Sequence, residues 1–236
     1  FAFADYHLAH ANQAGRYNIR NGIGIDNIQD IGRIARVILR EAPDLVALQE
    51  LDSATLRVDG RYIPGELGRM TGMHATFGRA IGFAGGSYGI GLLSRTEPLA
   101  VRSIPLPGRE EARVLLMAEF PDYTVCITHL SLTPEGRLAS LPIIREATDT
   151  CRKPVLLAGD FNTGNAAAVL AGLGGGFRIL SDTTRMTFPS DNPAVRIDYI
   201  LGRGLPTSAT VAESAVDHTA TASDHCPLWV TLVWKR

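Results

Sequence analysis

Val155-Leu156-Leu157-Ala158-Gly159-Asp160-Phe161-Asn162 is the stretch on which the fold turns: four apolar residues run without a break into an acid and an amide. A short apolar run bounded by turn residues reads as a strand covered on both faces. Leu45-Val46-Ala47-Leu48 repeats the pattern and enters Gln49-Glu50. In Arg196-Ile197-Asp198-Tyr199-Ile200-Leu201 the alternation puts Asp198 on the inward face with Arg196 and Ile200. Further short runs are predicted as strands at residues 17–20, 89–95, 99–104, 114–120, 125–130, 209–212 and 228–233, separated by Gly, Pro and Asp turns. The central ones resemble an antiparallel meander.

Three helices interrupt these strands. Ile28, Ile31, Ala35, Ile38, Leu39 and Ala42 share one face at a spacing of 3.6, with Asp26 or Asn27 placed to cap and Pro43 to stop the helix. Thr133-Pro134-Glu135 supplies a cap, a first-turn proline and a first-turn acid for a helix towards Cys151. That helix turns Leu138, Leu141, Ile144 and Ala147 or Thr148 inward, and Pro142 is expected to kink or break it. Residues 164–173 form a short Ala/Leu helix stopped by Gly174-Gly175-Gly176. Helices scattered among many antiparallel strands predict two packed sheets with helices outside. With no repeat, low-complexity tract or linker, residues 15–236 read as a single domain preceded by a segment at 1–14.

The composition narrows the function. With 45% apolar and 20% charged residues, the 236-residue chain is globular. Its formal charge of -1 lacks the basic field of a protein that clamps long nucleic acid. No apolar run approaches the ~18 residues of a spanning helix. Phe1-Ala2-Phe3-Ala4-Asp5 resembles the tail of an apolar signal region with an A-x-A pattern, so a secreted or periplasmic location is favoured over the cytoplasm; an ordinary apolar N-terminal segment is the alternative. The three cysteines have no zinc-type spacing. Cys126 and Cys226 could pair in an oxidising compartment if their strands are neighbours.

The chemistry is carried by polar groups where apolar strands end: Asn18, Glu50, His129, Asp160, Asn162, Asp198 and the pair Asp224-His225. Singly, each has a structural explanation as a turn residue, a helix cap or a satisfied core histidine. Together, four carboxylates, two amides and two histidines are the ingredients of a hard divalent-metal site with a general base.

In order and spacing these residues resemble the endonuclease/exonuclease/phosphatase superfamily with the deoxyribonuclease I-like fold. The blocks are YNIR (17–20), LQE (48–50), YGIGLLSR (88–95), THL (128–130), GDFN (159–162), TFP (187–189) with RIDYI (196–200), and SDH (223–225). The resemblance implies an α+β fold, a four-layer α/β/β/α sandwich of two mixed sheets flanked by helices. It implies Glu50 as the main metal ligand, with Asn18 beside it and Asp224 direct or through water. Magnesium fits these oxygens, with manganese or calcium as alternatives. His225 is then the base or phosphate-contacting histidine and Asp198 its orienting carboxylate. Asp160 positions or deprotonates the attacking water, and His129 lies on the leaving-group side. Asn162 and Asn18 contact the phosphate; Tyr88, Arg79, Arg20 and Arg95 are weaker substrate contacts. Whether one or two metals act, and whether Asp160 or the Asp198/His225 pair takes the proton, stays open.

The expected partner is a phosphate ester. The blocks look most like secreted bacterial metal-dependent hydrolases, which puts a small or lipid-type phosphodiester first, a nuclease second and a phosphomonoesterase third. Repair endonucleases carry an acid where Arg20 stands, which counts against that role. Gly82–Tyr88 is expected to be a flexible loop near the site and residues 22–26 another; a monomer is expected. A binding-only member would lack a central group, and none is missing.

Overall fold

The structure, a computed structural model, describes residues 10–234; the expected signal remnant at residues 1–5 lies outside the described residues. The chain forms strands β1 (His10–Asn18), β2 (Leu45–Ser53), β3 (His74–Phe83), β4 (Gly86–Ser94), β5 (Ala100–Leu106), β6 (Arg113–Glu119), β7 (Thr124–His129), β8 (Val155–Asp160), β9 (Arg178–Ile179), β10 (Asp198–Arg203), β11 (Thr210–Val216) and β12 (Leu228–Trp234). Its helices are α1 (Ile31–Glu41), α2 (Ile63–Thr71), α3 (Pro134–Asp149) and α4 (Ala166–Leu173).

The strands form two six-stranded sheets, ordered β11-β12-β1-β2-β4-β3 and β5-β6-β7-β8-β10-β9. Each is mixed, because β1 runs parallel to β2 and β7 to β8 while the other pairs are antiparallel. Apolar side chains divide into three buried layers. Ala14, Ala47, Leu92, Leu116, Ile127, Ala158 and Val230 fill the space between the sheets. Tyr17, Ile34, Ile38, Leu48, Leu67 and Trp229 pack the first sheet against α1 and α2. Met117, Leu141, Ile144, Leu157, Phe161 and Tyr199 pack the second against α3 and α4. The result is the expected four-layer sandwich. No described helix is long and apolar enough to cross a membrane.

Several local expectations change. β1 begins at His10, well before the Tyr17 read from sequence. α1 is capped by Asp30, whose side chain accepts from the Arg33 N–H, and not by Asp26 or Asn27. Its buried stripe is Ile31, Ile34, Ala35, Val37 and Ile38, whereas Ile28 precedes the helix and Leu39 falls on its outer face, both exposed. α3 opens at Thr133 as expected but runs through Pro142 to Asp149. Pro142 lies on the exposed side, and the carbonyl it leaves unpaired belongs to Leu138, itself exposed rather than inward, so water can satisfy it. Residues 82–88 are no loose loop: Phe83 pairs with Gly86 across a two-residue turn, in which Ala84 and Gly85 have φ of 42° and 80°. Positive φ at both central residues marks a hairpin turn that matches strand twist. Cys126 faces the helical layer of the second sheet, while Cys226 lies between the sheets; they face different layers and all three cysteines are free.

Candidate active site

Register across the second sheet sets three of the polar groups in a row. His129 is the β7 partner of Asp160 on β8, and Asp160 is the β10 partner of Asp198. All three stand at the termini of their strands, at one end of that sheet. The first sheet brings Arg16 and Asn18 from β1, Glu50 from β2 and, from the segment entering β12, Asp224 and His225. Apolar strands closing on polar termini thus deliver groups from both sheets to one cleft, on a rigid scaffold.

Glu50 is aimed by a bulge. Gln49 pairs with Ile90 and Leu51 with Gly89, which leaves Glu50 as an extra residue with φ of 61°. Leu48 and Leu51, three apart, therefore both pack under α1 and α2, and Glu50 escapes the strict alternation. A left-handed conformation at a non-glycine residue is a strain that functional sites tolerate. The Asn18 carboxamide donates from Nδ2 to Glu50 Oε1 at 2.8 Å and to Asp160 Oδ2 at 3.2 Å, while its Oδ1 accepts from the Arg20 N–H at 3.1 Å. Asn18 therefore bridges two acids with its donor end. Burial, together with the charges of Asp224 and Asp160, raises the Glu50 carboxyl above its usual range against the pull of the Asn18 hydrogen bond and His225. Among the described residues Glu50 forms no ion pair with an arginine or lysine. A strained, desolvated carboxylate without a counter-cation, held by the Asn18 amide donor and with the Asp224 carboxylate near it, fits a hard divalent ion.

His225 is 5% exposed and lies between two acids, with Nδ1 3.0 Å from Asp198 Oδ2 and Nε2 3.5 Å from Asp160 Oδ2. Burial would lower its imidazole, but the charges of Asp198 and Asp160 prevail and raise it. Phe188, from the TFP block, tilts against the ring with centroids 4.7 Å apart. Burial would raise the Asp160 carboxyl, yet neighbouring positive charge, His225 foremost, holds it at about 2. Its Oδ1 also accepts from the Asn162 N–H at 2.9 Å. His129 lies on the other side, Nε2 3.8 Å from Asp160 Oδ2, and burial pushes its imidazole down to about 3 against the pull of that acid. It is a neutral ring at neutral pH.

The remaining expected residues divide. Asn162, with φ of 51°, donates from Nδ2 to the Leu130 carbonyl at 2.8 Å, which holds the amide at the rim. Asp224 is a third exposed and faces Arg20, Nε to Oδ2 3.6 Å. Tyr88 stands opposite Asp52 in register; Arg57 lies 5.1 Å from the centre of its ring and 4.6 Å from that of Phe83. Arg57 is fixed by two contacts to the buried Asp52. Arg79 is exposed on the edge strand β3. Arg95 is not near the site: at the far end of β4 it bonds the Ala42 carbonyl and pairs with Asp44.

Sequence reasoning missed Arg16 and Arg57, and quoted Phe188 and Ser223 only within their blocks, without a role. Arg16 is wholly buried, its guanidinium paired with Asp198 through Nη1 and 3.5 Å from Asp160 Oδ2 through Nη2. The signal was present, since Arg16 and Asn18 are two apart on β1 and so share a face. Ser223 ties the SDH segment to β1 by donating to the Asn18 carbonyl at 2.7 Å.

A model described as the endonuclease/exonuclease/phosphatase family matches residues 17–225. No curated protein sequence matches. Among solved structures, an endonuclease/exonuclease/phosphatase from Bacteroides vulgatus superposes with a TM-score of 0.77 at 19% identity, over 96% of this chain and 100% of that one. A mannosyl-6-phosphatase from Bacteroides thetaiotaomicron gives 0.75 at 19%, over 94% and 100%. D. rerio TDP2 complexed with single strand DNA product gives 0.70 at 21%, over 94% and 98%. At these identities the likeness is one of fold.

Proposed function

This chain belongs to the endonuclease/exonuclease/phosphatase family, and from that premise we propose that it hydrolyses a small or lipid-type phosphodiester with a divalent ion, magnesium by preference, at Glu50. One observation carries the hydrolytic reading: the His225–Asp198 pair, Asp160 and the Asn18–Glu50 pair converge from two sheets on one cleft. Phosphoryl transfer places charge on non-bridging and leaving oxygens, so cations and donors around one phosphorus lower the barrier electrostatically. Glu50, with Asn18 and Asp224 beside it, would hold the divalent ion, which when bound would supply positive charge to the phosphate.

The chain's own groups do the rest. Asp198 fixes the orientation of the His225 ring, whose Nε2 faces the cleft. Asp160 and the Asp198–His225 pair share the holding and deprotonation of the attacking water. The neutral His129 sits where it can donate to the leaving oxygen, and Asn162 offers its remaining amide hydrogen to the phosphate. The resemblance of the quoted blocks to secreted bacterial metal-dependent hydrolases supports the same type.

The preference for a diester has an electrostatic ground. Arg20, Arg57 and Arg113 around the cleft are each paired with acids, respectively Asp224, Asp52 and Glu110 with Glu111. A monoanionic diester suits so neutralised a rim better than a dianionic monoester or a long polyanion. A nuclease is the second reading, because the half-exposed Phe83 beside Tyr88 is a surface on which a base could stack. A parallel assay of bis(p-nitrophenyl) phosphate, p-nitrophenyl phosphate, a short-chain phospholipid and plasmid DNA separates them. Diester or lipid turnover without DNA nicking supports the proposal; nicking at comparable enzyme puts the nuclease first, and monoester turnover alone puts the phosphatase first.

A further inference from the structure

Among the described residues, the cluster with the geometry to chelate a cation is not at Glu50. It is Asp160, Asp198 and His225, all buried, whose ligand atoms lie within 4.8 Å of one another. Two carboxylates and an imidazole at that spacing would by themselves attract a divalent ion. Each of their ligand atoms is already engaged. Asp198 Oδ1 is paired with Arg16 Nη1, and Asp198 Oδ2 with His225 Nδ1 at 3.0 Å. Asp160 Oδ2 faces Arg16 Nη2 and His225 Nε2, each at 3.5 Å, and the Asn18 amide at 3.2 Å. Asp160 Oδ1 accepts from the Asn162 backbone.

The arginine's position makes this arrangement permanent. Arg16 is 0% exposed, and its β1 register puts it on the inter-sheet face with Ala14 and Asn18. A guanidinium does not lose its proton in proteins, so its charge cannot be removed to admit an ion. Leaving it without its acids would strand a buried charge. Glu50, across the cleft, is the acid without such a partner.

We infer that Arg16 occupies the place of a second cation, so that this chain binds one divalent ion, at Glu50, and uses a built-in guanidinium on the Asp160–Asp198 side. The inference rests on the metal reading of Glu50 given above. Arg16 acts as a positioning residue: it holds Asp160 and Asp198 in place and does not itself touch the phosphate.

The test is metal stoichiometry, read by calorimetric titration and by the electron paramagnetic resonance of free manganese, on protein first stripped with a chelator. The wild type is expected to take up one manganese ion per chain, Glu50→Gln none, and Arg16→Lys one. Arg16→Ser, folded by circular dichroism, is expected to take up two, because the three ligands are released; Arg16→Ser with Glu50→Gln returns to one. Two ions on the wild type overturn the inference, as does a single ion on folded Arg16→Ser. Should Arg16→Ser not fold, the wild-type and Arg16→Lys counts decide. A wild type that binds no ion overturns the inference together with the metal reading. One ion without turnover of any phosphate ester leaves the inference standing and refutes the hydrolase.

Discussion

Replacing Asp198 with Asn keeps the shape of the side chain and removes its charge. Asp198 is wholly buried, accepts from His225 Nδ1 at 3.0 Å and pairs with the equally buried Arg16. Breaking a buried ion pair by removing one partner costs about 3–5 kcal/mol, because the other charge is left in the interior. Here Arg16 keeps Asp160 at 3.5 Å and the Asn oxygen still accepts from His225, so the lower end applies, about 3 kcal/mol. The ring also loses the anion that orients it, and general acid–base assistance is worth about 10²–10⁴-fold in rate. The measurements are urea unfolding and initial rates of diester hydrolysis for wild type and Asp198→Asn. A stability loss near 3 kcal/mol with a rate loss of about a thousandfold is expected. A variant within about 1 kcal/mol and threefold of wild type would refute the reasoning, since neither the ion pair nor the orienting role would then exist.

Acid should destabilise the protein through His129, whose folded imidazole is pushed down to about 3. The unfolded ring takes up a proton near pH 6.5 that the folded one refuses, so stability is whole above that pH and falls as pH drops towards 3, at up to ~1.4 kcal/mol per unit. His129→Asn should flatten the unfolding free energy across that window; an unchanged slope would contradict it. Gly15→Ala should destabilise by about 1–3 kcal/mol or more, because the new Cβ would lie 1.9 Å from the Trp229 ring; thermal unfolding reads this, and a neutral result would refute the packing. In the native protein a thiol reagent should modify Cys151 first. Cys126 and Cys226 are buried, the Cys226 thiol pushed up to about 12, and all three should titrate after unfolding without a reductant. Fewer than three would show a disulfide.

What the sequence disclosed depended on whether a residue obeyed its local period. β8 and β2 are covered on both faces and stand out as apolar runs. β3 does not, because it is an edge strand with most of its residues partly exposed and four glycine or alanine positions that carry little pattern. α2 is masked in the same way: it begins Ile63-Pro64-Gly65 and contains a second glycine, so its helical signal reduces to Ile63 and Leu67. In the site, chemically distinctive residue types at strand ends were visible, as Asp160 and His225 show. Glu50 was legible as an acid but not as a bulge, since the slip against β4 is decided by the partner strand. Arg16 was overlooked because the strand read from sequence began at Tyr17 and left it outside; β1 in fact starts at His10, and the opposing acids of the other sheet account for the burial of Arg16.

The central claim is tested most directly by magnesium-dependent hydrolysis of bis(p-nitrophenyl) phosphate by the wild type and by His225→Ala. The account predicts turnover that a chelator abolishes, magnesium restores, and the variant lowers by about 10²–10⁴-fold. Turnover indifferent to the chelator, or undiminished in folded His225→Ala, would contradict it.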